Sequence, residues 1–261
     1  MPLRLAIFDL DGTLKQVRDP YVYLHKRLGT WQAAQAFTDK GLTGKLGYED
    51  WLRLDASLWR GVERTAMESI FRQNPYLPGA RETVAALKRA GVRVAVVSTG
   101  LRIHADQVQS DLGMDSIVAN EILFEDGRAT GEALAHVPEG GKGPVVSQLQ
   151  AEFGVTADEC LAVGDGSSDI DMFGRVRIGV AVNPSSEQVA AASSLVFEEP
   201  DLNPLLAELE RLVPGWSPTQ VALHSSAVRH GKSPQIQRAR SLQCCPIAPG
   251  SPAHGRKKGT R

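Results

Sequence analysis

Residues 3–13 read LRLAIFDLDGT, an apolar run followed at once by two acids, a glycine and a threonine. A short continuous apolar run that ends at turn residues is typical of a buried β-strand. Asp9 and Asp11 are two positions apart, so in an extended chain both carboxylates point to the same side. Two acids beside a cation can divide the work, one staying ionised as nucleophile or ligand while the other holds a proton. A polar turn that caps a helix would use the same residues, and this segment alone favours neither interpretation.

The same pattern of an apolar run before polar turn residues occurs twice more. Residues 92–97 precede Ser98-Thr99-Gly100, and residues 160–163 precede Gly164-Asp165-Gly166. Each run is followed by a helical pattern, and strands that alternate with helices predict a parallel sheet with helices on both faces. We therefore predict a Rossmann-like, doubly wound α/β fold, in which chemistry collects at the carboxyl ends of the strands. Further strands are predicted at 178–182 and 195–197, with a hairpin at 121–124 and 129–133 around the Asp126-Gly127 turn.

Residues 15–78 carry no strand pattern and consist of amphipathic stretches with helical spacing. We predict that they form a small α-helical cap inserted after the first strand. The core is then made of residues 1–14 and 79–214. The four predicted helices are 21–28, 31–37, 48–58 and 62–71.

The composition is that of a globular protein, with 42% hydrophobic and 23% charged residues over 261 positions. The formal net charge of −1 is unevenly spread, because residues 217–261 contain eight basic residues and no acidic one, leaving −9 on the rest. The segment 215–261 also lacks periodicity, so we predict a disordered basic tail. A solvated tail without specific function is favoured about three to one, and nucleic acid is not expected as a partner beyond a weak contribution of this tail.

Three features bear on where the protein works. The apolar start of the chain is too short for a secretory signal, and no run approaches the roughly 18 apolar residues of a membrane span. Cys160, Cys244 and Cys245 show neither a disulfide framework nor a metal-ligand spacing. We therefore expect a cytoplasmic protein.

Several residues at predicted strand ends and helix starts could bind phosphate. Ser98, Thr99 and Gly100 precede a predicted helix, where a hydroxyl and backbone N–H groups can hold an anion, although serine also caps helices for stability alone. Lys142 opens another helix, where a cation opposes the helix dipole unless an anion lies between them. Taken alone, Lys142 would be an exposed loop lysine about two times in three. The Thr13 hydroxyl can bond a phosphate oxygen or the Asp9 carboxylate.

Asp165 and Asp169 lie four residues apart after the strand predicted at 160–163. Carboxylate oxygens at a glycine turn suit Mg²⁺, which prefers octahedral oxygen ligands. An N-cap followed by an acid in the first turn of a helix is the alternative.

In chain order, the first acid pair, the serine turn, the lysine and the second acid pair resemble the four signature motifs of the haloacid dehalogenase superfamily. The resemblance extends from Leu3 to about Val213. It is nearest to the phosphoserine-phosphatase-like branch, as the Leu77-Pro78-Gly79 stretch and Lys142-Gly143 indicate. It implies the fold predicted above, a Mg²⁺ cofactor and a small phosphorylated metabolite as substrate.

The resemblance also implies a role for each residue. Asp9 would attack the phosphorus and form an aspartyl-phosphate that water then hydrolyses, while Asp11 would act as general acid and base. Ser98 and Lys142 would hold phosphoryl oxygens. The metal would be bound by Asp9, the Asp11 carbonyl and Asp165, with Asp169 as a ligand or next to one.

The cap departs from the phosphoserine phosphatases, which clamp the amino acid with a glutamate and an arginine. Here residues 15–19 read KQVRD, and Asp55 stands where the arginine is expected. We expect a substrate bulkier or less zwitterionic than phosphoserine. The cap aromatics are interpreted as helix core rather than ligand contacts by about three to one.

The predicted activity is therefore Mg²⁺-dependent hydrolysis of a small phosphomonoester. Phosphoryl transfer to another alcohol and a non-catalytic binding protein on the same fold remain the alternatives.

Overall fold

A computed structural model describes residues 1–138 and 140–213. The predictions for the tail 215–261, including disorder and weak contact with nucleic acid, lie outside these residues. Among the described residues, the strands are β1 (Leu5–Phe8), β2 (Arg93–Leu101), β3 (Ser116–Glu125), β4 (Arg128–Leu134), β5 (Cys160–Gly164), β6 (Ile178–Val182) and β7 (Leu195–Phe197). The helices are α1 (Pro20–Leu28), α2 (Trp31–Leu42), α3 (Tyr48–Leu58), α4 (Arg64–Arg72), α5 (Ala80–Arg89), α6 (Arg102–Leu112), α7 (Lys142–Phe153), α8 (Ile170–Phe173), α9 (Glu187–Ala192) and α10 (Asn203–Leu212).

The described strands form one sheet in the order β4-β3-β2-β1-β5-β6-β7. All neighbouring pairs are parallel except β3 and β4, which form an antiparallel edge. The chain adds β2 and β3 on one side of β1 and then returns to add β5 on the other side, so the strand order reverses at β1. Ligands of doubly wound sheets bind at this reversal. The predicted Rossmann-like fold class is confirmed.

The register explains why polar residues far apart in the chain meet. Phe8 at the end of β1 pairs with Val96 of β2 and with Val163 of β5. The residues that follow these three positions therefore emerge at the same edge of the sheet.

Alternation along β1 divides the core between the two faces of the sheet. Ala6 and Phe8 pack in the cluster beneath α5 and α10, whereas Leu5 and Ile7 pack in the cluster beneath α7. All four side chains are fully buried. Burying one large apolar side chain contributes about 1.5–3 kcal/mol, so the sheet provides a rigid platform for the residues at its edge.

The helices α1 to α4 lie between β1 and α5, in the segment predicted as a cap. Asp19 begins α1, because its carboxylate accepts the backbone N–H of Val22 at 2.8 Å, and the left-handed Gly29 ends it. With β3 and β4 these helices enclose a third apolar cluster that includes Trp59 and Phe71. The division into cap and core stays a prediction.

Several predicted elements, the end of β2 among them, have different bounds in the structure. The hairpin strand predicted at 121–124 is the second half of β3, which begins at Ser116 and first pairs in parallel with β2. Ser116 and Asn120 interrupt the apolar pattern there, and the pairing with β2 outweighs their low strand propensity. The second predicted helix, 31–37, continues to Leu42.

The described part of the chain contains no helix that is both long and apolar enough to cross a membrane. The cytoplasmic location stays a prediction.

Candidate active site

The predicted site residues meet at the carboxyl edge of the sheet. A cavity of about 340 Å³ is lined there by Asp9, Asp11, Ser98, Thr99, Gly100, Asp165 and Asp169. Thr13 and Lys142 are buried and do not line the cavity themselves. Thr13 contacts the lining residue Asp165, and Lys142 contacts the lining residue Asp9. One site thus contains every residue that the sequence singled out.

Lys142 joins two of the acids. Its ammonium Nζ lies 2.6 Å from Oδ1 of Asp9 and 2.6 Å from Oδ1 of Asp169. Burial alone would lower the pKa of Lys142, but the two carboxylates raise it above the ordinary lysine value. The carboxylates also offset the unfavourable position of a cation at the start of α7. The ammonium is therefore a fixed positive charge, with 1% of the residue exposed.

Asp9, Asp165 and Asp169 form a three-carboxylate cluster whose nearest oxygens all lie within 4.8 Å of one another. Burial raises the pKa of Asp9 well above its ordinary value, Lys142 lowers it, and the neighbouring carboxylates raise it again. Burial and Asp169 likewise raise the pKa of Asp165 to about 7. Three buried carboxylates face one buried ammonium and the partly exposed guanidinium of Arg18, so the cluster carries more negative than positive charge. Its oxygen donors and its charge fit a divalent cation such as Mg²⁺.

Asp169 also shapes the turn after β5. Its Oδ2 accepts the backbone N–H groups of Asp165 at 2.8 Å and Gly166 at 2.9 Å. Gly164 permits this, because a Cβ there would lie 2.3 Å from the Asp169 carboxyl carbon. Both predicted roles of this acid, near a metal and at the start of a helix, are thus compatible with the geometry.

Arg18 and Thr13 hold Asp165 from two sides. The Thr13 hydroxyl lies 3.2 Å from Oδ1 of Asp165, and Nε of Arg18 lies 3.2 Å from Oδ2. Thr13 therefore bonds this acid rather than the Asp9 carboxylate.

The Asp11 carboxylate is not part of the three-carboxylate cluster and has other partners. Its Oδ2 lies 3.4 Å from the Ser98 hydroxyl, and its Oδ1 lies 3.0 Å from Nδ1 of His104. Asp9 and Asp11 thus have different partners, as expected of one acid near the metal and one that exchanges a proton. The metal contact assigned to the Asp11 carbonyl stays a prediction.

The phosphate turn expected at Ser98 has a different shape. Strand β2 does not end at residue 97 but continues to Leu101, with a register shift after Val97. Ser98 to Gly100 therefore belong to an irregular strand end rather than to a helix N-terminus. The Gly100 N–H donates to the Ser98 hydroxyl at 2.8 Å. The Thr99 carbonyl accepts the hydroxyls of Tyr21 at 2.9 Å and Tyr48 at 2.8 Å.

Several residues of the cavity were not among the predicted site residues, although the sequence had already shown Asp55 at the position of the expected arginine. His104 lies on the buried face of α6, where a lone polar residue among Ile103, Ala105 and Val108 was the available signal. His25 and Asp55 line the cavity from α1 and α3 and contact each other, and nothing in the local sequence links them. Tyr21, Trp31, Tyr48 and Trp51 also line the cavity, so the interpretation of the cap aromatics as core alone was wrong for these four.

The haloacid dehalogenase-like hydrolase family model matches residues 6–174 of this chain. The matched range covers β1 through α8 and includes the three-carboxylate cluster, Asp11, Ser98 and Lys142.

The chain is also similar to characterised phosphatases. It is 33% identical over 193 residues to phosphoserine phosphatase SerB2 of Mycobacterium tuberculosis, covering 73% of this chain and 47% of that protein. It is 30% identical over 206 residues to the phosphoserine phosphatase of Methanocaldococcus jannaschii, covering 78% and 96%. A solved structure described as a phospho-aspartyl intermediate analogue of phosphoserine phosphatase has a TM-score of 0.68 at 28% identity, covering 81% and 99%.

The chain spans about half the length of the M. tuberculosis relative, 47%, and nearly all of the M. jannaschii protein, 96%. The family match extends over more than half of the chain and contains the buried acids and the lysine of the cavity. The chain therefore belongs to the haloacid dehalogenase-like hydrolase family and, within it, is similar to the phosphoserine phosphatases.

Proposed function

We propose that this chain is a Mg²⁺-dependent phosphatase that hydrolyses a small phosphomonoester through a phosphoryl group carried by Asp9. The observation that carries the proposal is the position of Asp9. It lines the cavity, its Oδ1 contacts the ammonium of Lys142, and its carboxylate belongs to a cluster that fits a divalent cation.

In the first step, a carboxylate oxygen of Asp9 attacks the phosphorus and the bond from phosphorus to the substrate alcohol breaks. Asp11, which also lines the cavity, gives its proton to the leaving alcohol. In the second step Asp11 takes a proton from water, which displaces Asp9 and releases inorganic phosphate.

The remaining residues stabilise the charge of the transferred group. Lys142 supplies a buried ammonium between Asp9 and Asp169, and the Ser98 hydroxyl lies beside Asp11. Preorganised charges in a site shielded from water stabilise a transition state strongly. Mg²⁺ held by the three-carboxylate cluster would neutralise negative charge, so that one anion can approach another.

The similar phosphoserine phosphatases support phosphomonoester hydrolysis, and the solved phospho-aspartyl intermediate analogue supports a covalent route. Phosphoryl transfer to a second alcohol would use the same residues. Added alcohols in the assay separate the two reactions, because a transferase would form a new ester in place of free phosphate.

The test is a screen of phosphorylated metabolites with Mg²⁺ or with a chelator, on wild type and on Asp9→Asn. We expect phosphate release that needs the metal and is lost in Asp9→Asn. Asp39→Asn, an exposed acid on α2, is the matched control. Mass spectrometry of protein quenched during turnover should find one phosphoryl group on the peptide containing Asp9. Turnover that survives Asp9→Asn would refute the mechanism.

A further inference from the structure

We infer that the cavity selects phosphomonoesters of a cationic alcohol, one that carries an ammonium group and no carboxylate. The inference rests on the proposed phosphatase function and concerns the part of the cavity formed by α1 and α3. Four residues there, Tyr21, Tyr48, Trp51 and Asp55, are called the ammonium subsite.

Asp55 is a buried carboxylate that pairs with no lysine or arginine among the described residues. Only 3% of it is exposed, yet it lines the cavity, and its ion-pair partner in the described chain is His25, whose Nε2 lies 2.8 Å from Oδ1. The indole N–H of Trp59 points at Nδ1 of His25 from 3.1 Å. The Thr30 hydroxyl also contacts Nδ1, at 2.7 Å, and can donate to it. Because an indole N–H only donates, we assign the lone pair to Nδ1 and the His25 proton to Nε2, which makes this histidine neutral.

A neutral histidine leaves the negative charge of Asp55 uncompensated. A buried charge without a counter-ion is costly, whereas a pair with a ligand cation removes much of that cost. The part of the cavity lined by Asp55 is therefore suited to an ammonium group.

Three aromatic residues line the cavity together with this carboxylate. Tyr21, Tyr48, Trp51 and Asp55 line, together with Leu52, a smaller cavity of about 40 Å³ next to the main one. Cations within about 6 Å of aromatic faces gain roughly 0.5–2 kcal/mol, and aromatic cages recognise quaternary ammonium groups. The combination of rings and carboxylate therefore matches the chemistry of an ammonium group.

Contacts with β2 and α2 fix the three aromatic rings of the ammonium subsite. The hydroxyls of Tyr21 and Tyr48 both donate to the Thr99 carbonyl, next to the predicted phosphate-binding residues. The ring of Trp51 lies against the backbone of Gly41, where a Cβ would come within 2.3 Å of it. The rings thus need little rearrangement to receive a ligand.

A substrate carboxylate would meet like charges instead. Asp19 and Asp55 both line the cavity. Among the described lining residues, the arginine that could pair with a substrate carboxylate is Arg18. The Arg18 side chain is engaged with Asp165, with Nε 3.2 Å from Oδ2, and with the Asn183 carbonyl. Like charges in a partly desolvated site repel, so this cavity disfavours phosphoserine relative to an amino alcohol phosphate that lacks the carboxylate.

The test compares kcat/KM for four esters with Mg²⁺ present. Phosphoethanolamine and n-propyl phosphate have nearly the same shape and differ in the ammonium group. Phosphocholine tests the quaternary ammonium, and phosphoserine tests the added carboxylate. We expect phosphoethanolamine or phosphocholine to exceed both n-propyl phosphate and phosphoserine by at least about tenfold, which corresponds to about 1.4 kcal/mol.

Asp55→Asn should reduce the ratio of phosphocholine to n-propyl phosphate by about tenfold, because the side chain keeps its shape and loses its charge. Asp50→Asn on the same helix is the matched control, since Asp50 is exposed and pairs with Arg53. Trp51→Leu is a second variant that serves as the test if Asp55→Asn does not fold. It should reduce the same ratio of phosphocholine to n-propyl phosphate. Tetramethylammonium should inhibit hydrolysis of n-propyl phosphate competitively in wild type and more weakly in either variant.

The failures are distinguishable. Turnover of none of the four esters or of the wider screen would refute the proposed function itself. Turnover of n-propyl phosphate with no gain from an ammonium group, or a preference for phosphoserine, would overturn this inference and leave the phosphatase intact.

Discussion

Nδ1 of His104 lies 3.0 Å from Oδ1 of Asp11, although the two residues are 93 positions apart in the chain. The imidazole is fully buried and stacks on Phe71 with ring centroids 4.5 Å apart. A neutral imidazole nitrogen can donate to a carboxylate or accept from a carboxylic acid. His104 can therefore hold Asp11 in one orientation in either protonation state.

Loss of this contact should slow the chemistry. His104→Phe keeps the ring and its stacking on Phe71 but leaves Asp11 with the Ser98 hydroxyl alone. We expect kcat to fall by about 10- to 100-fold, part of what general acid–base catalysis supplies, with KM changed less than about threefold. His104→Asn should recover part of the loss through its amide. His136→Phe, which replaces an exposed histidine, is the control. If His104→Phe left kcat and its pH profile unchanged, His104 would contribute to packing only.

Gly100→Ala should displace Asp11. A Cβ at position 100 would lie 2.3 Å from Oδ2 of Asp11, so the carboxylate must move out of its contact with Ser98. Because a misplacement of about 1 Å can cost on the order of 100-fold in rate, kcat should fall by at least tenfold. Gly174→Ala, whose Cβ would make only ordinary contacts at 3.6 Å, should leave kcat and Tm nearly unchanged. Equal rates for both variants would contradict the crowding argument.

Lys142→Met should destabilise the metal-free protein and abolish turnover. The ammonium joins Asp9 and Asp169, and removal of one partner of a buried ion pair costs about 3–5 kcal/mol. Urea unfolding in a chelator measures the loss, with Lys40→Met on the exposed face of α2 as control. Millimolar Mg²⁺ should raise the unfolding free energy of both wild type and variant, since a cation that binds only the folded state stabilises it. A variant as stable as wild type in the chelator would contradict the charge balance described for the cluster.

The metal-free protein should lose stability as the pH rises from about 4 through about 7. Burial raises the pKa of Asp165 to about 7 in the folded chain from its ordinary 3.8. The folded state therefore holds more protons than the unfolded state over this interval, and the unfolding free energy falls with pH, by a few kcal/mol at the order-of-magnitude level. Burial raises the pKa of Asp9 in the same direction.

Thermal unfolding across this pH range, with a chelator and with Mg²⁺, measures the effect. Mg²⁺ should flatten the dependence because it binds the deprotonated carboxylates, and Asp165→Asn should reduce the slope in the chelator. A Tm that rises with pH in the chelator would show that the cluster is not short of positive charge.

The sequence was sufficient for the parallel sheet and for the set of acids and the lysine at its edge. Strands such as residues 160–164 are encoded by short apolar runs, and the turns after them are encoded by adjacent residues. Because parallel strands end at one edge of a sheet, Asp9 and Asp165 could be brought together before any contact was known. Lys142, at the start of a helix, joined them only through the resemblance to the four family motifs.

The tertiary structure alone decided which partner each of these residues has. Asp11 contacts His104, which lies 93 positions away in the chain. Asp55 contacts His25 at a separation of 30 positions, and His25 contacts Trp59 at a separation of 34. The continuation of β2 to Leu101 and of β3 back to Ser116 likewise depends on pairing between strands. Local spacing encodes backbone conformation, whereas the partner of a buried polar group depends on which distant side chain packing brings within hydrogen-bond distance.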